Sequence, residues 1–239
     1  MLAIIGGTGL AALEGLTLED SIVMETPYGV PSANIEKGEL NGSPVFFLAR
    51  HGKAHSLTPH SVNYRANIWA LQSLGVTRII GVNAVGGINA SMGPEVIVIP
   101  DQIVDYTWGR QSSFSEEGRV IHADFTYPYT EELRQQLFAA ANKVSVNVCD
   151  SGVYGVTQGP RLETAAEIDR LEKDGCDIVG MTAMPEAILA RELNIQYANV
   201  SLVVNMAAGR SEGLITMDDI QRVLDAGMGQ VRVLLSAVA

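Results

Sequence analysis

Asp177-Ile-Val-Gly-Met-Thr-Ala-Met-Pro-Glu-Ala187 carries the reading of the fold. Its first half is short, apolar and β-branched, as a buried strand requires. Its second half puts Pro185 in the first turn of a helix, where the missing N–H costs nothing. A small hydroxyl, Thr182, stands at the change from strand to helix. Just upstream, Gln158-Gly-Pro-Arg-Leu-Glu-Thr164 sets one carboxylate beside apolar residues in a loop. Outward from this centre, residues 2–5, 45–49, 78–82, 96–99, 152–157, 177–181 and 196–204 read as buried strands. Helical stretches lie between them: 63–74, stopped by Gly75, then 164–173, 185–193, and a last helix from Thr216 with Asp218 and Asp219 in its first turn. This alternation predicts an α/β fold, a mixed sheet wrapped by helices, formed by residues 1–239 as a single domain. The long polar segment 105–128, with Tyr106, Trp108, Phe114 and His122, breaks the pattern and reads as a lid or a subunit contact.

With 47% hydrophobic and 18% charged residues among 239, the composition is that of a compact enzyme rather than a disordered chain. A formal net charge of −11 argues against nucleic acid and anionic membrane as partners, because the mean field repels phosphates. A small anion stays possible where fixed donors in a cleft outweigh that field. Cys149 and Cys176 match no metal spacing and are too few for a disulfide framework, so the expected compartment is the reducing cytoplasm. Met1-Leu-Ala-Ile-Ile-Gly-Gly lacks a basic leader and runs straight into a glycine turn, which predicts no signal peptide. No run approaches the ~20 apolar residues of a membrane span.

Several strand ends carry residues suited to an anion. Ile4-Ile5-Gly6-Gly7-Thr8-Gly9-Leu10 ends a strand in glycines that admit close backbone approach, with Thr8 as a hydroxyl donor. A phosphate site and a plain tight turn both fit it. A dinucleotide fingerprint fits less well, because Glu14-Gly15 interrupts the required helix. Arg50-His51-Gly52 follows an apolar strand: the arginine offers a planar fork to an oxyanion, or else makes a salt bridge. His51, His55 and His60 lack metal-ligand spacing, so no metal is expected. Gly81-Val-Asn-Ala84-Val85-Gly-Gly87 reads as another strand-to-glycine turn, either close packing or backbone approach to a ligand. Thr8, Arg50, His51, Ala84 and Thr182 together could converge on one phosphate, since ligands gather at the carboxyl ends of strands in open α/β sheets. Asn205 ends a very apolar strand, where an amide is costly to bury without partners; a cap or turn role competes.

Taken in order, Gly6–Leu10, Arg50-His51-Gly52, residues 62–69, 83–87, 158–167, 179–190 and 201–205 resemble the trimeric purine nucleoside phosphorylase family, which includes the methylthioadenosine phosphorylases. The resemblance covers nearly the whole chain. It implies a twisted mixed sheet, partly closed into a barrel, and cleavage of a purine–ribosyl bond by inorganic phosphate. Phosphate would be a co-substrate, with no other cofactor and no metal. It also implies a homotrimer with the active site near a subunit interface. By resemblance, Thr8, Arg50, His51, the Ala84 backbone and Thr182 hold phosphate, Met181 lies against the ribose, and Leu162 and Val85 lie against the base. Asn205 is the candidate catalytic residue, stabilising charge on the departing base.

The base follows from donors and acceptors. Hypoxanthine presents an N1–H donor and an O6 acceptor; Glu163 accepts from the first and Asn205 donates to the second. Adenine reverses the N1 edge. Adenosine-type relatives carry aspartate where this chain has Asn205, and a second where it has Ala207, so the expected base is a 6-oxopurine. At the 5′ end, Met217 stands where ordinary inosine and guanosine enzymes place a histidine, and its thioether suits a 5′-methylthio group. The expected reaction is S-methyl-5′-thioinosine plus phosphate to hypoxanthine and 5-methylthioribose 1-phosphate. The alternatives are an inosine/guanosine phosphorylase, a methylthioadenosine phosphorylase, or a non-catalytic nucleotide-binding module.

Overall fold

The computed structural model describes residues 1–7 and 16–238. Among these residues, eleven strands form one mixed sheet. Strands β1 (Leu2–Gly6), β2 (Leu16–Ile22), β3 (Ile35–Leu40) and β4 (Ser43–Ala49) precede helix α1 (Tyr64–Ser73). Then come β5 (Arg78–Gly87), β6 (Ile97–Val98), β7 (Gln102–Asp105), helix α2 (Glu131–Lys143), β8 (Val148–Cys149) and β9 (Val153–Val156). The chain continues through α3 (Ala165–Lys173), β10 (Ile178–Gly180), α4 (Ala183–Glu192), β11 (Gln196–Met206) and α5 (Met217–Val238).

The sheet hinges on β5. One edge pairs with β11 along its whole length, in parallel. The other edge is shared in sequence: Arg78–Gly81 pair with β1, whereas Gly86 and Gly87 pair antiparallel with β10. Between them, residues 82–85 have no strand on that edge. The sheet therefore splits, with β4, β3 and β2 continuing beyond β1 and β9 and β7 beyond β10. Such a switch point is where open α/β sheets leave a crevice.

Helices bury the two faces. Ile68 and Leu71 of α1 and Ala187, Leu189 and Ala190 of α4 share a cluster with Ala3, Ile5 and Ile79. Leu133 and Leu137 of α2 and Val231, Leu234 and Leu235 of α5 pack with Ile4, Ile80, Val200 and Leu202 on the opposite register. Each fully buried Leu or Ile contributes roughly 1.5–3 kcal/mol relative to exposure. Helix α3 lays Ile168 and Leu171 over Cys176 and Val179. Its start is fixed by a capping box in which Thr164 accepts from Glu167 N–H while Glu167 accepts from Thr164 N–H.

Three expectations change. Residues 83–87 are strand rather than glycine turn, because the β10 and β11 ladders satisfy the backbone of Gly86 and Gly87. Strand β11 runs to Met206, so Asn205 lies within it, just past a register shift between Val203 and Asn205. The helix expected to start at Pro185 starts at Ala183, with a break at Met184 and Pro185 where the backbone is non-helical.

Candidate active site

Arg50 leaves the end of β4 and fills the split. Its guanidinium is 2% exposed. Nε and Nη2 donate to the two oxygens of Glu186, both at 2.8 Å. Nη2 also donates to Ile5 O at 3.1 Å, and Nη1 to Val82 O at 2.9 Å. These are carbonyls at the end of β1 and on the unpaired stretch of β5. Four of the five guanidinium N–H bonds are thus engaged, and one on Nη1 remains. The fork that the sequence offers to an oxyanion is largely committed to a buried ion pair. Burial acts to lower the arginine pKa, but the Glu186 charge and hydrogen bonds outweigh it and raise it. Tyr197 donates its hydroxyl to Glu186 Oε1 at 2.8 Å. The trio fits because residue 81 is glycine: a Cβ there would stand 2.3 Å from the Tyr197 hydroxyl.

A second polar chain ends at Thr182. Ser201 donates to Asn199 Oδ1 at 2.6 Å, Asn199 donates to Asn83 Oδ1, and Asn83 donates to the Thr182 hydroxyl oxygen. All four residues are buried. Because Thr182 Oγ1 accepts here, its own proton remains free to donate. Ala84 is exposed in the middle of β5. In a strand, N–H and C=O groups of alternate residues point to the same edge. Val82 O reaches Arg50 on the split edge, so Ala84 N–H points into the split as well.

His51 places Nδ1 2.8 Å from Leu57 O, so Nδ1 carries a proton and Nε2 holds the lone pair of the neutral ring. Burial first, then the Arg50 charge, lower its pKa to about 4. Thr8, the fifth phosphate candidate, lies outside the described residues.

The base-side candidates sit on the loops that follow β9 and β10. Thr157 donates to Glu163 Oε1 at 2.6 Å, and Glu163 Oε2 has no protein hydrogen bond among the described residues. Met181 packs beneath Gly159, where a Cβ would meet its sulfur at 2.4 Å. A 480 Å³ cavity beside Glu163 is lined by Tyr106, Trp108, Thr157, Gln158 and Gly159, among others. Asn205 donates from Nδ2 to Met206 O at 2.7 Å, which leaves one N–H and the Oδ1 acceptor. The bulge before it turns that amide toward Gly86, whose missing Cβ would lie 3.4 Å away. Val85 and Ala207 are buried, while Leu162 is exposed. Met217 stands 72% exposed on the first turn of α5.

The segment 105–128 is irregular but anchored. Ser113 Oγ and Phe114 N–H donate to Glu192, Arg191 donates to Asp124 O and Tyr127 O, and buried Phe114 packs edge-on to Tyr28 at 5.2 Å. Among the described residues, no helix is long and apolar enough to cross a membrane, and no three His, Cys, Asp or Glu side chains form a group able to hold a metal.

The sequence profile of the Phosphorylase superfamily matches residues 1–239. The chain belongs to this superfamily. It is 56% identical over 238 residues to the probable S-methyl-5′-thioinosine phosphorylase of Pseudomonas syringae pv. tomato, covering 99% of this chain and 97% of that one. It is 44% identical to the 6-oxopurine nucleoside phosphorylase of Pyrococcus furiosus, over 99% and 91% of the two chains. Among solved structures, a methylthioadenosine phosphorylase from an antarctic soil metagenomic library superposes with a TM-score of 0.94 at 39% identity, over 99% of this chain and 84% of that one. The fold is that of the nucleoside phosphorylases, and the protein is an enzyme of that type.

Membership in the superfamily sharpens which residues the strand-end reading missed. Asn199 and Ser201 share one face of β11 within an otherwise apolar run, a signal open to period-two reading. Glu186 and Tyr197 had no such signal, since neither residue type marks a site without its partner.

Proposed function

We propose that the split in β5 is the phosphate site and that the chain cleaves S-methyl-5′-thioinosine with inorganic phosphate. The free Ala84 N–H, the Thr182 hydroxyl proton and the remaining Arg50 N–H are donors for the anion. A phosphate oxygen attacks C1′ as the C1′–N9 bond breaks, and the bonding pair passes into the purine ring. The sugar is oxocarbenium-like midway, and the anion beneath it stabilises that charge. N7 takes a proton from solvent, and Asn205 Oδ1 accepts the new N7–H while its free N–H donates to O6. Glu163 Oε2 accepts from N1–H.

The observation that carries the 6-oxopurine assignment is Glu163, held by the Thr157 hydroxyl on one oxygen with the other left open. Relatives named for S-methyl-5′-thioinosine and for 6-oxopurine nucleosides support the same base. The test compares phosphate-dependent cleavage of methylthioinosine, inosine and methylthioadenosine by chelator-treated protein. Methylthioinosine is expected to lead. Equal or faster turnover of methylthioadenosine would overturn the base assignment, and loss of all activity on chelation would overturn the metal-free reading.

One observation favours a second reading. Met217 is exposed, so it does not wall off the 5′ end within the described residues, and a 5′-hydroxyl sugar would be admitted equally. Inosine turnover matching methylthioinosine would select that reading. The assembly we infer is a homotrimer in the cytoplasm, in which a neighbouring copy covers the 5′ end and the exposed Trp108, Val120 and Tyr127. A monomeric mass by light scattering would exclude it.

A further inference from the structure

Arg110 is the one group in the anchored 105–128 segment that reaches both loops of the site. Nη1 donates to Met181 O at 2.7 Å and Met184 O at 2.6 Å. Nη2 donates to Gln158 O at 2.9 Å and Thr157 O at 3.3 Å, and Nε to Gln158 Oε1 at 3.2 Å. The Tyr64 hydroxyl, 3.4 Å from Nη1, is its only hydrogen-bond partner outside these loops among the described residues. No carboxylate pairs with Arg110 among the described residues. Five carbonyl oxygens, four of the backbone and one of the Gln158 side chain, surround the cation instead, and the Asp105 charge acts on it without a direct pair.

The strand ladder cannot do this work. Strands β9 and β10 pair in parallel up to Val156 and Gly180, and one further bond joins Thr157 N–H to Gly180 O at 2.8 Å. Beyond that point the chains diverge, one toward Glu163 and the other toward Met181 and Thr182. A planar fork with five donors suits carbonyls converging from two directions; an ammonium does not. We propose that Arg110 is a positioning residue that fixes the separation between the base-reading carboxylate of Glu163 and the Met181–Thr182 turn beside sugar and phosphate. It touches no reacting atom. The inference rests on the reading of Glu163 given above.

The test uses the full chain with Arg110→Gln and Arg110→Lys. A misplacement near 1 Å costs roughly 10²-fold, so Arg110→Gln is expected to lower nucleoside kcat/KM by about that factor. The preference for methylthioinosine over methylthioadenosine should shrink, and the phosphate KM should rise less than the nucleoside KM, because Arg50 and Ala84 hold the anion independently of this turn. Arg110→Lys should fall between, since it keeps the charge and loses the fork. Hydrogen exchange in Arg110→Gln should quicken in 157–163 and 181–184 and stay unchanged in β1, β5 and β11. Unchanged nucleoside kinetics, or nucleoside and phosphate KM rising equally with faster exchange everywhere, would overturn the proposal. If Arg110→Gln does not fold, the substrate ratio of Arg110→Lys decides. If the unmodified protein cleaves no 6-oxopurine nucleoside, the functional reading fails, and local exchange in the variants still decides whether Arg110 holds the loops.

Discussion

Glu163 accepts one hydrogen bond within the chain, and in the proposed site its second oxygen accepts from the base. Replacing it by glutamine keeps the volume but turns half of the acceptor capacity into donors. Turnover of methylthioinosine by Glu163→Gln should fall about 10²–10³-fold, the usual loss for a transition-state contact; steady-state kinetics check it, and unchanged turnover refutes the role. His51 makes a pH statement. Its neutral ring shows Nε2 as an acceptor, so donating to phosphate requires taking up a proton. Phosphate affinity should therefore weaken as pH rises, with proton uptake seen by titration calorimetry in buffers of different ionisation heat. The stability sign follows from the same shift, from an ordinary value near 6.5 to about 4. The unfolded chain binds the extra proton between these values, so the stability is fully present above about pH 6.5 and is lost as pH falls toward 4. His51→Gln should flatten that part of the melting profile, and an unaltered profile would remove His51 as its source.

Elements differ in how openly the chain announces them. Strands β1, β4, β5 and β11 are read from runs such as Phe46-Phe47-Leu48, because they are covered on both faces and need apolar residues throughout. Strand β2, Leu-Thr-Leu-Glu-Asp-Ser-Ile, is an exposed sheet edge with no buried face, so periodicity has nothing to record. Helix α2 was missed despite Leu133, Leu137, Ala140 and Ala141 at helical spacing, because its polar surroundings mask the stripe. Of the candidate site, Arg50, Thr182 and Asn205 are legible as polar groups where apolar runs stop. Their supports are not: Glu186, Tyr197, Asn83 and Arg110 gain meaning only from partners far away in sequence. Gly81 belongs to that hidden layer. Gly81→Ala would drive a methyl to 2.3 Å from the Tyr197 hydroxyl and 3.0 Å from Glu186 Oε1. Breaking a buried ion pair costs roughly 3–5 kcal/mol, so the expected result is a clear drop in urea midpoint together with a raised phosphate KM. A stability loss with phosphate KM untouched would separate the ion pair from the anion site.

At the level of the whole molecule, the net charge of −11 repels the anion that the proposed reaction requires. In the proposed site, local cations and N–H dipoles supply the attraction where, among the described residues, one edge of β5 lacks a strand. There Arg50 at the end of β4 reaches Glu186 of α4, and Asn83 of β5 reaches Thr182 after β10, through side chains instead of a backbone ladder. A ligand seated in that seam acts as a rivet between these elements as well as a reactant. Saturating phosphate at about 100 times its dissociation constant should add roughly 2.7 kcal/mol to the unfolding free energy, read as a rise in urea midpoint that sulfate mimics only in part. The protein would then be sturdiest when phosphate is plentiful, and its lifetime against proteolysis would follow the supply of its own co-substrate.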